Sequence, residues 1–564
     1  MSSKTASPMT PTSVNAVRLL EEIAHLMSLK GENPFKVRAF EKAAAILTGR
    51  EDLAERARQG TLTELDGIGK GIAEVLTEFL ITGVSKVKAE LESTLPAGLL
   101  ELTQIPGLGP KKAFQLIETL EISSVRELEY ACQENRLLKI KGFGPKIQQK
   151  LLENIRFLQA ATGQVRLDQV LEPAQHLLEE MRRLLKTRVE CTGEVRRRCE
   201  VLHSVGLLIE LSAAELVDGK PSSAAMKRIS ECLVAAKSAS TGAPIGVPIE
   251  LEFAEAKNWG THWARGSSSA AHWSALFPEG SEPGAFRDEE ALYASKKLPW
   301  IDPVLRETGH ELELAARGVL HQVIQQDRIR GVFHFHTTRS DGAHSLEEMV
   351  RAAREWGYQY VGVSDHSQSA FYAQGLKEDE LLAQEREVRA VQEKYPEVRI
   401  FWGIESDILA DGSLDYPDHL LKHFDFVIAS IHSRFQMDRE TMTERVVQAI
   451  RHPQTRFIGH LTGRLLLGRK GYELDVERVI REAAKHDVAI ELNAHPQRLD
   501  IDWRHGPLLK KAGALVSINP DAHEVAGFSD TEYGVWMARK ALLFDESVVN
   551  AWDLRKVESW LKRK

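Results

Sequence analysis

The chain has 564 residues, of which 43% are hydrophobic and 27% charged, and a formal net charge of −8. That length accommodates three or four globular domains rather than one. Its four cysteines (Cys132, Cys191, Cys199, Cys232) stand at no metal-ligand spacing, which suggests neither a disulfide framework nor a zinc finger and fits a reducing compartment. The opening MSSKTASPMTPTS carries no apolar stretch, and nowhere do about 18 uncharged apolar residues run together, so secretion and membrane spanning are not expected. The expected location is the cytoplasm. The negative total argues only weakly against nucleic-acid binding, because local patches and not the sum decide it.

In chain order, residues 14–160 repeat apolar positions at three- and four-residue spacing (VRLLEEIAHLM, VRAFEKAAAIL, GIAEVLTEFLITG), which predicts an all-α region. A mixed α+β region follows. There VGLLIEL (205–211) and VPIELEF (247–253) read as strands, whereas GKPSSAAMK (219–227), KSASTGAP (237–244) and ARGSSSAAHWSALFPEGSEPG (264–284) read as loops. From Gly331 short apolar strands alternate with amphipathic helices such as SLEEMVRAAREWG and DVERVIREAAKHD, the pattern of a β/α barrel or a doubly wound sheet.

Three segments of the helical region share one form: LDGIGKGIA (65–73), IPGLGPKKA (105–113) and IKGFGPKI (140–147). Each sets two glycines at the start of a helix (Gly67 and Gly69, Gly107 and Gly109, Gly142 and Gly144), where exposed backbone N–H groups can meet a phosphate with no side chain between. Lys70, Lys111, Lys112 and Lys146 add positive charge, giving a sequence-independent grip on a DNA backbone. One such motif would read as an ordinary glycine corner; three resemble the helix-hairpin-helix of DNA repair proteins. NPFKVRAFEKAA (33–44), with Lys36, is similar to the opening of the N-terminal domain of family X DNA polymerases.

The segment TGEVRRRCEVLHSVGLLIE (192–210) resembles the palm of that family. Gly193, Arg196 and Arg197 match its nucleotide-binding Gly and Arg residues and Glu250 its third palm carboxylate, but Ser204 and Gly206 stand where the paired aspartates belong and Glu194 where a serine belongs. Two-metal phosphoryl transfer needs carboxylates that bridge the ions, so the resemblance implies a polymerase scaffold without a two-metal site and argues against dNTP binding. RGSSSAAHW (265–273) weakly resembles the thumb, and EEALYASKKLPWIDPVLRE (289–307) does so closely. Val75 replaces the lysine with which some relatives cleave abasic sites, so no lyase nucleophile is expected there.

In the last region the ends of the predicted strands carry His334 and His336 (VFHFH), Asp341, His366, Glu405, His432, His460, Asp521 and His523. Side chains at the C-terminal ends of β/α-barrel strands converge on one mouth. Six imidazoles and three carboxylates form an N/O set that suits Mn, Zn or Fe and could serve three ions. His344, His419, His423, His452, His486, His495 and His505 fall mostly on helices or loops and read as structural. The ordered series His-x-His, Ser-Asp-Gly, Asp-His, Gly-x-Glu, Ile-His-Ser, Gly-His and Asp-x-His resembles the PHP (polymerase and histidinol phosphatase) domain, with Val332 where relatives often carry an acid. The resemblance implies metal-dependent phosphate-ester hydrolysis with Asp341, His366 and Glu405 as catalytic groups. Residues 459–464, Arg434 and Lys470 are candidates for holding phosphate.

As a whole the chain resembles bacterial family X polymerases with a fused PHP domain. The implied layout is a helical DNA-binding domain (1–88), a fingers-like helix-hairpin-helix domain (89–160), a palm-like domain (161–258), a thumb-like domain with linker (259–325) and a PHP domain forming a distorted (β/α)7 barrel (326–564). The implied activity is a 3′–5′ exonuclease, with abasic-site cleavage in some relatives, acting on gapped, nicked or 3′-ended DNA with Mn or Zn, up to three ions. An active gap-filling polymerase with unusual metal ligation, a non-catalytic DNA-binding protein and a small-molecule phosphatase are the alternatives.

Overall fold

The computed structural model describes residues 13–30, 32–47, 50, 52–96, 98–159, 163–239, 245–279 and 281–562. The opening residues 1–12 and part of the 237–244 segment lie outside them. The chain forms two compact units, Met1–Ser124 and Val125–Lys564, so the segment 89–160 is divided between them.

The first unit is all-α. Helices Ser13–Lys30 and Pro34–Leu47 place Leu20, Ile23, Ala43 and Leu47 at no exposure, and Leu53 and Leu76 join the same core. Helix α1 (Lys70–Thr82) and helix α2 (Pro110–Leu120) each begin at the second glycine of a hairpin motif, Gly69 and Gly109, with extended backbone at that cap. The first glycines, Gly67 and Gly107, have φ of 80° and 85°, a left-handed turn that a side chain would resist.

The second unit opens with helix α3 (Val125–Gln133), then the third hairpin with Gly142 at φ 96°, then helix α4 (Pro145–Gln159). A three-stranded sheet follows, with β1 (Val189–Thr192) antiparallel to β2 (Val205–Glu210) and β2 parallel to β3 (Ile249–Ala254). Helices Leu167–Leu185 and Ser223–Ala239 belong to this part. Two expectations need correction here. GKPSSAAMK contains the start of that second helix, and ARGSSSAAHWSALFPEGSEPG contains the end of helix Trp259–Gly266 and all of helix Ala270–Leu276. The serines that suggested loops act at helix starts: Ser269 Oγ accepts from His272 N at 3.0 Å, and Ser222 Oγ from Ala225 N at 3.3 Å.

The last part is a parallel sheet of seven strands: β4 (Gly331–Val332), β5 (Tyr360–Val363), β6 (Arg399–Asp407), β7 (Phe426–Ser430), β8 (Thr455–Ile458), β9 (Ala489–Asn493) and β10 (Val516–Asn519), neighbours in chain order. Just past β4 and β10, Phe335 bridges Ala522 in parallel fashion, bringing the two edges together. The period of two sorts the side chains. In β6, Ile400, Trp402 and Ile404 pack outward beneath the helices, while Phe401, Gly403 and Glu405 share the other face. Phe333, Phe401, Phe426 and Phe457 form an aromatic plug, with the rings of Phe333 and Phe457 4.9 Å apart. A Cβ on Gly403 would come within 2.2 Å of Phe426. Above that plug the same faces end in polar groups. Among the described residues no helix is long and apolar enough to cross a membrane.

Buried ion pairs brace the region before the barrel. Arg196 and Arg306 each place both terminal guanidinium nitrogens within 2.7–3.0 Å of Glu289, which is 1% exposed. Burial alone would raise the Glu289 carboxyl, but the hydrogen bonds from Arg306 and Arg196 pull it down to about 2 from an ordinary 4.5. A depressed carboxylate stabilises the fold fully above its unfolded value and loses that contribution as the pH falls through about 2; the shift amounts to about 3 kcal/mol. Glu289→Gln should therefore lower unfolding stability by on the order of 3 kcal/mol at pH 7, with the gap from wild type narrowing below pH 4.5. Urea denaturation at several pH values measures it, and a gap independent of pH would contradict the assignment.

Candidate metal centre

The nine residues expected at the strand ends meet in one place. Eight of them form three overlapping groups whose ligand atoms lie within 4.8 Å of one another: His336, Asp341, His366 and His523; His334, His336 and Asp521; His366, Glu405 and His432. The ninth, His460, sets Nε2 3.0 Å from Glu405 Oε1. All but His432 are buried.

Strand geometry explains the convergence. Glu405 is the last member of the Phe401–Gly403–Glu405 face, and Glu491 takes the equivalent place on β9. β4 ends at Val332, so His334 and His336 lie just beyond it, yet both reach Asp521 Oδ1, at 3.2 and 3.0 Å. Two of the nine positions hold left-handed backbone, His460 at φ 25° and Asp521 at φ 54°; such strain in non-glycine residues collects at functional sites.

A metal ion fits the donor set. Buried ring nitrogens His334 Nε2, His336 Nδ1, His460 Nδ1 and His523 Nε2, and Asp341 Oδ2, make no hydrogen bond, although carboxylate oxygens lie nearby: Asp341 Oδ1 is 3.3 Å from His523 Nε2 and 3.8 Å from His336 Nδ1. Polar atoms buried at such cost are normally paired, and cations would satisfy them together.

The electrostatics divide the imidazoles. Burial and the neighbouring rings of His523 and His366 push His336 down to about 3. Burial opposes charge on His366 as well, but Asp341 and Glu405 outweigh it and raise that ring to about 10. Asp341, Glu405 and Asp521 are likewise disfavoured by burial yet are held well below the usual carboxylate range by the histidines around them.

Several residues that the sequence reading passed over organise this mouth. Glu491 lies 2.6 Å from His334 Nδ1 and accepts from His460 N at 2.7 Å and Asn519 Nδ2 at 3.1 Å. Asp407 lies 2.7 Å from His432 Nδ1. Asp365 anchors the loop bearing Asp341, accepting from Thr337 N at 2.8 Å, Ser340 Oγ at 2.6 Å and Gln384 Nε2 at 2.7 Å. Their signal was legible: an acid inside a buried parallel strand, as in AIELN, breaks the apolar run such strands need. Val332 is fully buried in the core. His495, set aside as structural, is buried beside this cluster, edge-on to Tyr130 at 5.3 Å, and burial holds it at about 3.

The other predicted residues lie elsewhere. Lys36, Lys70, Lys111 and Lys146 are exposed and Lys112 is half-buried, while a Cβ on Gly69, Gly107, Gly109, Gly142 or Gly144 would meet open space. Gly193 starts the short helix Gly193–Arg196; Arg196 is held by Glu289, Arg197 Nε donates to Glu307 at 3.2 Å, and Glu250 is exposed. Glu194 accepts from His203 N at 2.6 Å. Val75 is buried in α1. Arg464 donates to the Arg498 carbonyl at 2.9 Å and to Asp502, whereas Arg434 and Lys470 are exposed.

Fold and site together define a PHP-type phosphoesterase barrel, preceded in the chain by helix-hairpin-helix motifs and a mixed α/β region. Family comparisons agree: the helix-hairpin-helix domain profile matches residues 14–85, the SAM-like helix-hairpin-helix tandem residues 99–156 and the PHP domain residues 333–495. The DNA polymerase/3′–5′ exonuclease PolX of Bacillus subtilis (strain 168) is 32% identical over 573 residues, covering 97% of this chain and 99% of that protein. The chain belongs to the PolX family. A probable phosphatase of Thermoanaerobacter sp. (strain X514) is 29% identical over 251 residues, 41% of this chain and 94% of its own length. The crystal structure of histidinol phosphate phosphatase from Lactococcus lactis overlaps 38% of this chain and 94% of its own at 16% identity and a TM-score of 0.31, too low to bear on the argument.

If the cluster holds metal, chelator-treated protein should gain stability when Mn²⁺ is added, by about 2.7 kcal/mol at a hundredfold excess over Kd. His336→Ala, which removes a member of two of the three groups, should lose most of that gain in a thermal-shift titration. An undiminished shift in the variant would place the metal elsewhere.

Proposed function

We propose that this protein is a DNA-processing phosphoesterase, a 3′–5′ exonuclease that also cuts at abasic sites, working in cytoplasmic DNA repair on gapped, nicked or 3′-ended DNA. The observation that carries this reading is the buried cluster of six imidazoles and three carboxylates at the barrel mouth. His336, Asp341, His366 and His523 would hold one divalent ion, His334, His336 and Asp521 a second, and His366, Glu405 and His432 a third, with Mn or Zn matching the nitrogen-rich donors. Bound there, such ions supply water activation and neutralisation of phosphate oxygens. The protein's own part is orientation. Glu491 and Asp407 each face the Nδ1 edge of a histidine, leaving Nε2 of His334 and His432 toward Glu405 at 3.4 Å each. Asp341, facing His336, His366 and His523, and Glu405, facing His334, His336, His366, His432 and His460, are the central carboxylates, and with His366 they form the catalytic core of the proposal.

The hairpin glycines and lysines would grip the DNA backbone, and the palm would serve as scaffold without synthesis. Ser204 and Gly206 support this, since a Cβ at Gly206 would come within 2.3 Å of Thr192 Oγ1. So does the engagement of Arg196 and Arg197 by Glu289 and Glu307 in place of a triphosphate. A second reading, gap-filling synthesis with unusual metal ligation by Glu200, Glu210 or Glu250, has the support of the 32% identical Bacillus relative, named a DNA polymerase/3′–5′ exonuclease.

End-labelled gapped DNA incubated with manganese should be shortened by the wild-type protein, and His336→Ala or Glu405→Ala should lower the rate by at least about a hundredfold, as loss of a group stabilising transition-state charge does. Digestion at wild-type rates by both variants would remove the nuclease from this domain.

A further inference from the structure

Two histidines of the metal centre are oriented by carboxylates of the barrel itself, His334 by Glu491 and His432 by Asp407. A third histidine faces a carboxylate from outside the barrel, here as a close ion pair beside a backbone hydrogen bond. Glu134, in the turn after α3, sets Oε2 2.6 Å from His523 Nδ1, while His523 Nε2 lies 3.3 Å from Asp341 Oδ1. The hydrogen bond of that Nδ1 goes to the carbonyl oxygen of Asp521 at 3.0 Å, with the Glu134 carboxylate packed against the same edge of the ring. Glu134 is 2% exposed, and its other oxygen lies 3.7 Å from His495 Nε2.

The helix that delivers Glu134 is firmly seated. Every residue of α3 from Val125 to Cys132 is buried. Toward the barrel, Glu127 meets Arg469 at 2.7 Å and Arg498 Nε donates to Tyr130 Oη at 3.0 Å. On the other side, Glu129 takes both terminal nitrogens of Arg166 at 3.1 and 3.2 Å. Two residues past Glu134, Arg136 Nε stands 3.9 Å from Asp341 Oδ2. The chain then runs directly into the Gly142–Gly144 hairpin.

We propose that Glu134 is a positioning residue of the metal centre, lent by the hairpin segment, that holds His523 for the group containing His336, Asp341 and His366. Metal loading of the barrel is thereby tied to the segment proposed to grip DNA. The inference rests on the metal-centre reading of the barrel mouth. Carboxylates that orient metal-binding histidines are worth roughly 10–100-fold in metal affinity.

The test is calorimetric titration of full-length, chelator-treated protein with Mn²⁺, for wild type, Glu134→Gln, Glu134→Asp, Glu127→Gln and His336→Ala. Glu134→Gln should weaken one class of site by roughly 10–100-fold, Glu134→Asp should recover part of the loss, and Glu127→Gln, which breaks the contact of the same helix with Arg469 and touches none of the nine residues, should bind as wild type. Unchanged affinity in Glu134→Gln overturns the proposal, as does equal weakening in Glu127→Gln, which would assign the effect to helix docking alone. If Glu134→Gln does not fold, binding by Glu134→Asp decides: affinity at or below that of wild type by less than twofold overturns the proposal, and a larger loss supports it. His336→Ala separates the two levels of the argument. Full Mn²⁺ binding there overturns the metal-centre reading itself, whereas its loss there with none in Glu134→Gln overturns only the role of Glu134.

Discussion

Gathering nine ionisable groups, eight of them buried, at the end of a hydrophobic barrel is the constraint around which the rest of this structure is arranged. A charge or polar atom taken out of water costs several kcal/mol unless it is paired. Here the pairing is mutual: the histidines pull the carboxyls of Asp341, Glu405 and Asp521 down, and the carboxylates push the rings of His334, His366 and His523 up against the effect of burial. The same atoms are those that a cation would bind. The outer carboxylates Glu491, Asp407 and Asp365 then lock rings and loops, so the cluster is held in place by hydrogen bonds before any ligand arrives.

The aromatic plug below and the helical segment beside the mouth serve the same end. Phe333, Phe401, Phe426 and Phe457 fill the barrel so that the polar groups have a dry floor, and low dielectric strengthens every interaction above it. The segment before the barrel is tied to it by ion pairs, the buried Lys540 with Glu307 and the more exposed Arg504 with Glu200. What resembles a polymerase is thus knitted into the support of the barrel.

Much of this was legible in the sequence, and for a physical reason. Strand ends in a β/α barrel are fixed by the alternation of apolar runs and amphipathic helices, so ligands spread from His334 to His523 could be assigned to one mouth without knowing any distance. The three glycine motifs were legible because a left-handed turn followed by a helix start demands glycine. What escaped was long-range or context-dependent. Arg196 and Glu289 are 93 positions apart and no local pattern links them; Glu134 reaches His523 across most of the chain. Serines at 222 and 269 resembled loop residues because capping and turn chemistry use the same side chain.

The central claim is that phosphoester chemistry belongs to the barrel and that the palm is scaffold. Primer extension by the His336→Ala variant, with gapped template, all four dNTPs and manganese, tests it most directly, because trimming can then no longer erase added nucleotides. The account predicts a primer of unchanged length. Template-directed elongation that disappears when Glu250→Ala is added would contradict it.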